Sequence, residues 1–181
     1  MPEAGAGSGG RGTLRGMSPM DQAIDERHFR NALGRFVTGV TVITTCTPEG
    51  KLEGLTVNSF SAVSLDPPLV LWSLRLNSTL LASFHSSQHF AVNVLEAGQS
   101  VLSDHFAKRA PDKFQNIAHT PGLGGCPLLT GSLATFECVK EVDVAGGDHV
   151  VFFGRVKRAV YQEGHPLIFS AGRYGTHAPL E

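Results

Sequence analysis

Polar and apolar positions alternate along Phe60-Ser61-Ala62-Val63-Ser64-Leu65, then give way to an unbroken apolar run, Leu69-Val70-Leu71-Trp72. Period-two alternation marks a half-buried strand, and a short apolar run bounded by turn residues marks a buried one. Pro67-Pro68 lies between them, so the stretch predicts two strands around a proline corner. Polar residues stand at both ends: Thr56, Asn58, Ser59 and Ser61 before it, Arg75, Asn77 and Ser78 after it. A barrel wall built this way can turn backbone N–H groups and hydroxyls towards a flat polar ring.

The same reading extends along the chain. Phe29, Ala32, Leu33, Phe36 and Val37 fall on one helical face, which predicts a helix over 25–38, with Asp25 or Asp21 as N-cap and Gly39 as its end. The β-branched run Val40 to Thr45 predicts a strand, and Pro48-Glu49-Gly50 a turn back into a hairpin over 51–58. A short helix is expected over 78–84, a strand over 90–95, and a helix over 99–108 presenting Val101, Leu102, His105 and Phe106. The Gly- and Pro-rich stretch 119–131 reads as irregular. Residues 133–144 and 149–161 alternate around Gly146-Gly147-Asp148 and predict a long hairpin. A last strand is expected over 166–170, and Arg173-Tyr174-Gly175 closes the domain. Strands outnumber helices and come in hairpins, so the chain predicts a mainly β antiparallel barrel with peripheral α-helices.

Composition narrows the classes. At 181 residues one domain is expected, 21–181, after a Gly- and Ser-rich leader over 1–20 that is too polar to fold. The net charge of −1 gives no reason to expect nucleic acid or a membrane surface as partner. Cys46, Cys126 and Cys138 form no metal spacing and are odd in number, so reduced thiols and a cytoplasmic location are expected. No apolar segment is long enough for a membrane-spanning helix.

Several constellations compete for chemistry. His85 and His89 stand four apart, a zinc spacing on a helix, but His89 falls at the start of a strand, so two surface histidines and no metal are expected. No G-x-S-x-G elbow supports hydrolysis, and the leader's glycine run lacks the strand that a dinucleotide loop needs. At Gly146-Gly147-Asp148-His149 two glycines already satisfy the turn, which leaves His149 free to project at a strand end. Arg75, Asn77 and Ser78 precede a helix start, where N–H groups favour an anion. Lys113-Phe114 can be a solvated turn or a cover for a bound ring.

Taken together, Phe29 to Thr44, Gly54 to Phe60, Asp66 to Val70, Phe90 to Leu95 and Gly147-Asp148-His149 resemble the short-chain flavin reductases of two-component flavin-dependent monooxygenases. The resemblance implies a six-stranded antiparallel Greek-key split barrel, a homodimer, and hydride transfer from NADH or NADPH to FMN or FAD. Reduced flavin then diffuses to a partner monooxygenase. It implies that Thr56, Val57, Asn58 and Ser59 line the flavin ring and ribityl chain, that Ser73, Asn77 and Ser78 form the phosphate side, and that Phe106, Lys113 and Phe114 lie over its other end. Asp148, His149, Arg173 and Tyr174 then belong to the nicotinamide mouth, with His149 closest to the chemistry. The alternatives are a non-catalytic flavin or haem binder on the same barrel, and an oxidase that keeps its flavin. Neither explains a nicotinamide mouth.

Overall fold

The structure, a computed structural model, describes residues 24–177, so the expected leader over 1–20 lies outside the described residues. The elements in order are α1 (Glu26–Leu33), β1 (Thr38–Gly39), β2 (Thr41–Cys46), β3 (Leu52–Val57), β4 (Ser61–Leu65), β5 (Pro68–Arg75), α2 (Leu81–Ser86), β6 (His89–Val94), α3 (Ser100–Ala107), β7 (His119–Pro121), β8 (Pro127–Leu129), β9 (Ala134–Gly146), β10 (His149–Tyr161), β11 (Ile168–Ser170) and β12 (Arg173–Gly175). The chain is mainly β with a few helices outside the sheets.

The main sheet runs β3-β2-β6-β9-β10-β5-β4, and all its ladders are antiparallel. Its two edges, β3 and β4, are consecutive in the chain and only residues 58–60 join them. Seven flat strands would separate those edges by about 29 Å, whereas a link of this length spans at most about 15 Å. The sheet must therefore curl until its edges approach. Hydrogen bonding runs through seven strands and stops at β3 and β4, so the ladder is open rather than closed on six.

Two cores follow from this curl. Inside it lie Ile43, Val70, Leu74, Phe90 and Val92 around Trp72. Trp72 stacks on Phe152 with centroids 4.7 Å apart and meets Phe84 edge-on at 4.8 Å. Gly154 leaves room for the Phe90 ring beside Trp72, because a Cβ there would overlap it. A second core, with Val40, Val42, Leu95 and Phe106, fills the space under α3. Since β2 is buried on both faces, its sequence shows no alternation. Fully buried Asn93 ties the layers together: its amide nitrogen donates to the Val42 carbonyl at 3.1 Å, and its oxygen accepts from the Leu129 N–H at 2.8 Å.

Four expectations are corrected. α1 ends at Leu33 with Gly34 as its C-cap, and Thr38–Gly39 pairs with β11 instead of extending the helix. On α3, Val101 is 80% exposed, and Ser103 and Phe106 are the buried residues. The second helix begins at Leu81, three residues after Ser78. The stretch over 119–131 holds a small two-stranded sheet, β7 with β8.

Candidate active site

The residues around the proline corner do converge. A cleft of about 810 Å³ is lined by Thr56, Val57, Asn58 and Ser59 from the end of β3, by Ser73 and Arg75 from β5, and by Asn77, Ser78, Thr79 and Leu80 before α2. Phe106, Lys108, Arg109 and Pro111 line it from α3 and the loop after it, together with Lys113 and His149. Its volume lies in the upper part of the range usual for ligand sites. Four lining residues are cationic (Arg75, Lys108, Arg109 and Lys113) and no Asp or Glu lines it, although the whole chain carries a net charge of −1.

Hydrogen bonds fix the wall. Ser59 sits where the chain crosses from β3 to β4; its hydroxyl donates to the Ser73 carbonyl at 3.3 Å and accepts from the Ser73 N–H at 3.0 Å. The Thr56 hydroxyl donates to the Ser103 carbonyl at 2.6 Å, which fastens β3 to α3. Gly54 lets Phe106 and Phe114 close on β3: a Cβ there would lie 2.9 Å from Phe106 Cε1 and 3.1 Å from Phe114 Cζ.

Lys113 is buried, and its Nζ donates to the carbonyls of Phe106 at 3.0 Å and Gly54 at 3.2 Å. Burial lowers its pKa below the usual lysine value. Two of its three N–H donors are thus spent on the protein, so its first role is to hold the loop after α3. Ser78 Oγ accepts from the Leu80 N–H at 3.2 Å, and the Ser78 carbonyl accepts from the Leu81 N–H. Some donors that the sequence offers to an anion at this helix start are therefore already used.

His149 opens β10 and stands opposite Arg75 of β5 in register. Its Nδ1 lies 2.7 Å from Asp148 Oδ1. The hydrogen bond from His149 holds the Asp148 carboxyl below its usual pKa. Asp148 does not line the cleft; it is hydrogen-bonded to the ring that does.

Besides Asp148, three sequence candidates lie outside the cleft lining. Phe114 packs on Phe106 with centroids 5.2 Å apart and lines a neighbouring pocket of about 400 Å³. Tyr174 points its hydroxyl at Ser103 Oγ and Asp104 Oδ1, each at 2.9 Å, on α3. Arg173 is exposed on β12 and outside the cleft lining. Conversely, Thr79, Leu80, Lys108, Arg109 and Pro111 line the cleft without having been candidates. The adjacent cations Lys108-Arg109 at the predicted helix end were the available signal. His85 pairs with Asp143 at 2.5 Å, away from the cleft, and no metal-binding cluster occurs among the described residues.

The cleft thus combines four cations with a hydroxyl-rich wall on an antiparallel sheet. The chain belongs to the family described as flavin reductase like domain, which it matches over residues 33–178. It is 47% identical over 151 residues to the FMN reductase (NADH) SmoA of Agrobacterium fabrum, an alignment covering 83% of this chain and 86% of that protein. It is 46% identical over 154 residues to the flavin-dependent monooxygenase reductase subunit HsaB of Rhodococcus jostii, covering 84% and 78%. The solved NADH:FAD oxidoreductase SgcE6 of Streptomyces globisporus superposes with a TM-score of 0.82 at 37% identity, covering 88% of this chain and 99% of that one.

Proposed function

We propose that this chain is an NADH:flavin oxidoreductase that reduces FMN or FAD and passes the reduced flavin to a separate monooxygenase. The observation that carries the reading is the cleft: four cations and no carboxylate face a wall of hydroxyls and backbone groups. That donor set fits a phosphate-bearing ring. It accommodates poorly a cationic ligand, since nothing acidic would balance the site.

Bound flavin supplies the hydride-accepting chemistry, and the protein supplies position and electrostatics. Thr56, Val57, Asn58 and Ser59 hold the ring and ribityl chain. Ser73, Asn77 and Ser78, with Arg75 beside them, hold the phosphate. Phe106 closes the opposite side, and Lys113 keeps that side in place. His149, aimed by Asp148, orients the nicotinamide and serves no obligatory proton transfer. Tyr174 contributes through α3 rather than at the mouth. A split barrel of Greek-key type remains the fold proposed, supported by the approach of the two sheet edges that the short link over 58–60 requires.

The exposed apolar patch formed by α1 and the turn after it supports a homodimer. Phe36 is 76% and Leu33 58% exposed, and Phe29 and Val37 are also open to solvent. A contiguous exposed apolar patch of this kind marks an interaction surface. Flavin exchanges with solution between turnovers, so the partner monooxygenase takes it by diffusion. No described helix is long and apolar enough to cross a membrane, and a cytoplasmic enzyme is proposed.

The test mixes protein, NADH and excess FMN or FAD and follows nicotinamide absorbance without oxygenase. Multiple turnovers with free flavin support the reductase. Tight yellow binding without NADH oxidation sinks it and favours the non-catalytic binder.

A further inference from the structure

Cys46 and Cys126 are far apart in sequence, yet the fold makes them neighbours. Cys46 is the last residue of β2 and is partly exposed, whereas Cys126 and Cys138 are buried. Two contacts lay the segment 125–127 along the face of β2 that carries Thr44 and Cys46. The Thr44 hydroxyl donates to the Pro127 carbonyl at 2.6 Å. At the other end, a Cβ on Gly125 would lie 3.4 Å from Cys46 Sγ and 3.5 Å from its Cβ. Cys126 stands between these two anchors. Its backbone is fixed as well: its N–H donates to the Leu123 carbonyl at 3.3 Å, and its carbonyl accepts from the Gly122 N–H at 2.8 Å. Its thiol lies beside the Cys46 N–H. Cys138 also lies near Cys126, but it belongs to the inner core, beside Phe90 and Gly154. Buried cysteines often serve only as small apolar side chains, which accounts for Cys138. It does not account for a partly exposed thiol set against a second one.

We propose that Cys46 is an oxidation site and Cys126 its resolving thiol, so that peroxide converts the pair into an intramolecular disulfide. The source of oxidant rests on the reductase reading: released reduced flavin gives two electrons and two protons to dioxygen, leaving flavin and hydrogen peroxide. The Cys46 thiolate attacks one peroxide oxygen; an S–O bond forms, the O–O bond breaks and hydroxide leaves. The Cys126 sulfur then attacks the Cys46 sulfur. The S–S bond forms, the S–O bond breaks, and the hydroxyl leaves with the thiol proton as water. Access assigns the two roles. Burial pushes the Cys126 thiol up to about 11, and the Cys46 N–H beside its sulfur opposes that shift. Cys126 is thus inert to peroxide itself and reacts with a sulfur delivered next to it. The site is remote from the cleft: Cys46 pairs with Leu52, while cleft-lining Val57 pairs with Thr41, about 16 Å of strand away. The link therefore spares the cleft and keeps Cys46 from irreversible oxidation.

The experiment treats the reduced full chain with hydrogen peroxide and maps its peptides by mass spectrometry without reductant. The Cys46 and Cys126 peptides should appear linked and two hydrogens lighter, and dithiothreitol should separate them. Thiol titration of the unfolded protein should fall from three thiols to a single one. Cys126→Ser should instead accumulate sulfinic acid at Cys46, about fivefold above the wild type at equal peroxide. Cys138→Ser should still form the link. Flavin reduction by the linked wild type should stay within about twofold of the reduced protein. Sulfinic Cys46 without a link in the wild type, a link between Cys126 and Cys138, or a link between two copies overturns the proposal. A second arm replaces added peroxide with NADH, FMN and air; the same link should form, and catalase should suppress it. If no NADH is consumed there, the reductase reading fails, while the added-peroxide arm still decides the thiol pair.

Discussion

Thr56 and Ser103 are joined by a 2.6 Å hydrogen bond from the threonine hydroxyl to the serine carbonyl, and the Ser103 hydroxyl meets Tyr174 at 2.9 Å. One residue of α3 thus links the cleft wall to the C-terminal strand β12. The Thr56 hydroxyl proton is used inside the protein, so towards a ligand this hydroxyl can only accept.

Tyr174→Phe removes the hydroxyl that meets Ser103 and Asp104, and keeps the ring packed on Phe169. The group is partly exposed, so the expected loss of stability is about 1 kcal/mol. The KM for NADH should hardly change, since Tyr174 acts through α3. Denaturant titration and steady-state kinetics check both. A large rise in KM at unchanged stability would return Tyr174 to the nicotinamide mouth.

Lys113→Met keeps the stem and deletes the ammonium, leaving the Gly54 and Phe106 carbonyls without that donor. Losing two charge-assisted bonds should cost about 2–3 kcal/mol and loosen the loop that carries Lys108 and Arg109. Flavin affinity should fall as a consequence. The pH dependence has a definite sign. The folded pKa of Lys113 is lowered by burial, so between the folded and unfolded values the unfolded state binds more protons and stability rises with pH. The wild type should therefore recover some of the penalty of burying this charge at alkaline pH, and Lys113→Met should lack that component. Denaturation midpoints of the two proteins from neutral pH to about pH 10.5 test it.

The hairpins were legible because their signals are local. Alternation over 61–65 and 149–161 and the turn at Gly147 all depend on neighbours in sequence, and β4, β5, β9 and β10 follow them. Thr56 to Ser59, Asn77, Ser78 and His149 were legible through family resemblance, and the fold brings them to one cleft. What could not be read depends on long-range geometry. Helical periodicity over 25–38 predicted one helix, but Thr38–Gly39 finds a strand partner in β11, about 130 residues away. Lys113 looked like a charge for the ligand because its pattern does not disclose the carbonyls of Gly54 and Phe106. Phe114 and Tyr174 are close to the site in sequence terms but face a second pocket and α3.

Asn77→Ala with Ser78→Ala tests the phosphate position. Both residues line the cleft, and Ser78 Oγ also accepts from the Leu80 N–H. Flavin affinity should drop by about tenfold, consistent with the loss of one or two hydrogen bonds to a charged group. Riboflavin, which lacks the phosphate, should be affected far less. An equal loss for riboflavin would mean that the pair merely shapes the entry to α2.

Phe36→Ser with Leu33→Ser tests the apolar patch at the end of α1 and in the turn after it. Neither side chain is buried in one copy of the chain, so their removal should cost the isolated fold little. If a second copy covers that face, dissociation should become at least about a hundredfold easier, since burying each side chain is worth about 1.5–3 kcal/mol. Sedimentation across a concentration series reads this directly. An unshifted dimer would place the interface elsewhere, and a wild-type monomer would remove the dimer altogether.

His149→Ala addresses the chemistry itself. The ring lines the cleft, is held through Nδ1 by Asp148, and stands opposite Arg75 in register. A residue that orients the donor contributes to binding in the ground and transition states alike, so its removal should raise KM for NADH about tenfold and lower kcat by only about twofold. A residue required for proton transfer would instead lower kcat by about two to four orders of magnitude. Asp148→Asn separates the two roles further. It leaves the imidazole in place but weakens the bond that aims it, so it should reproduce a smaller part of the KM change with kcat preserved. Collapse of kcat at constant KM in His149→Ala would overturn the orienting role and make His149 an acid–base group.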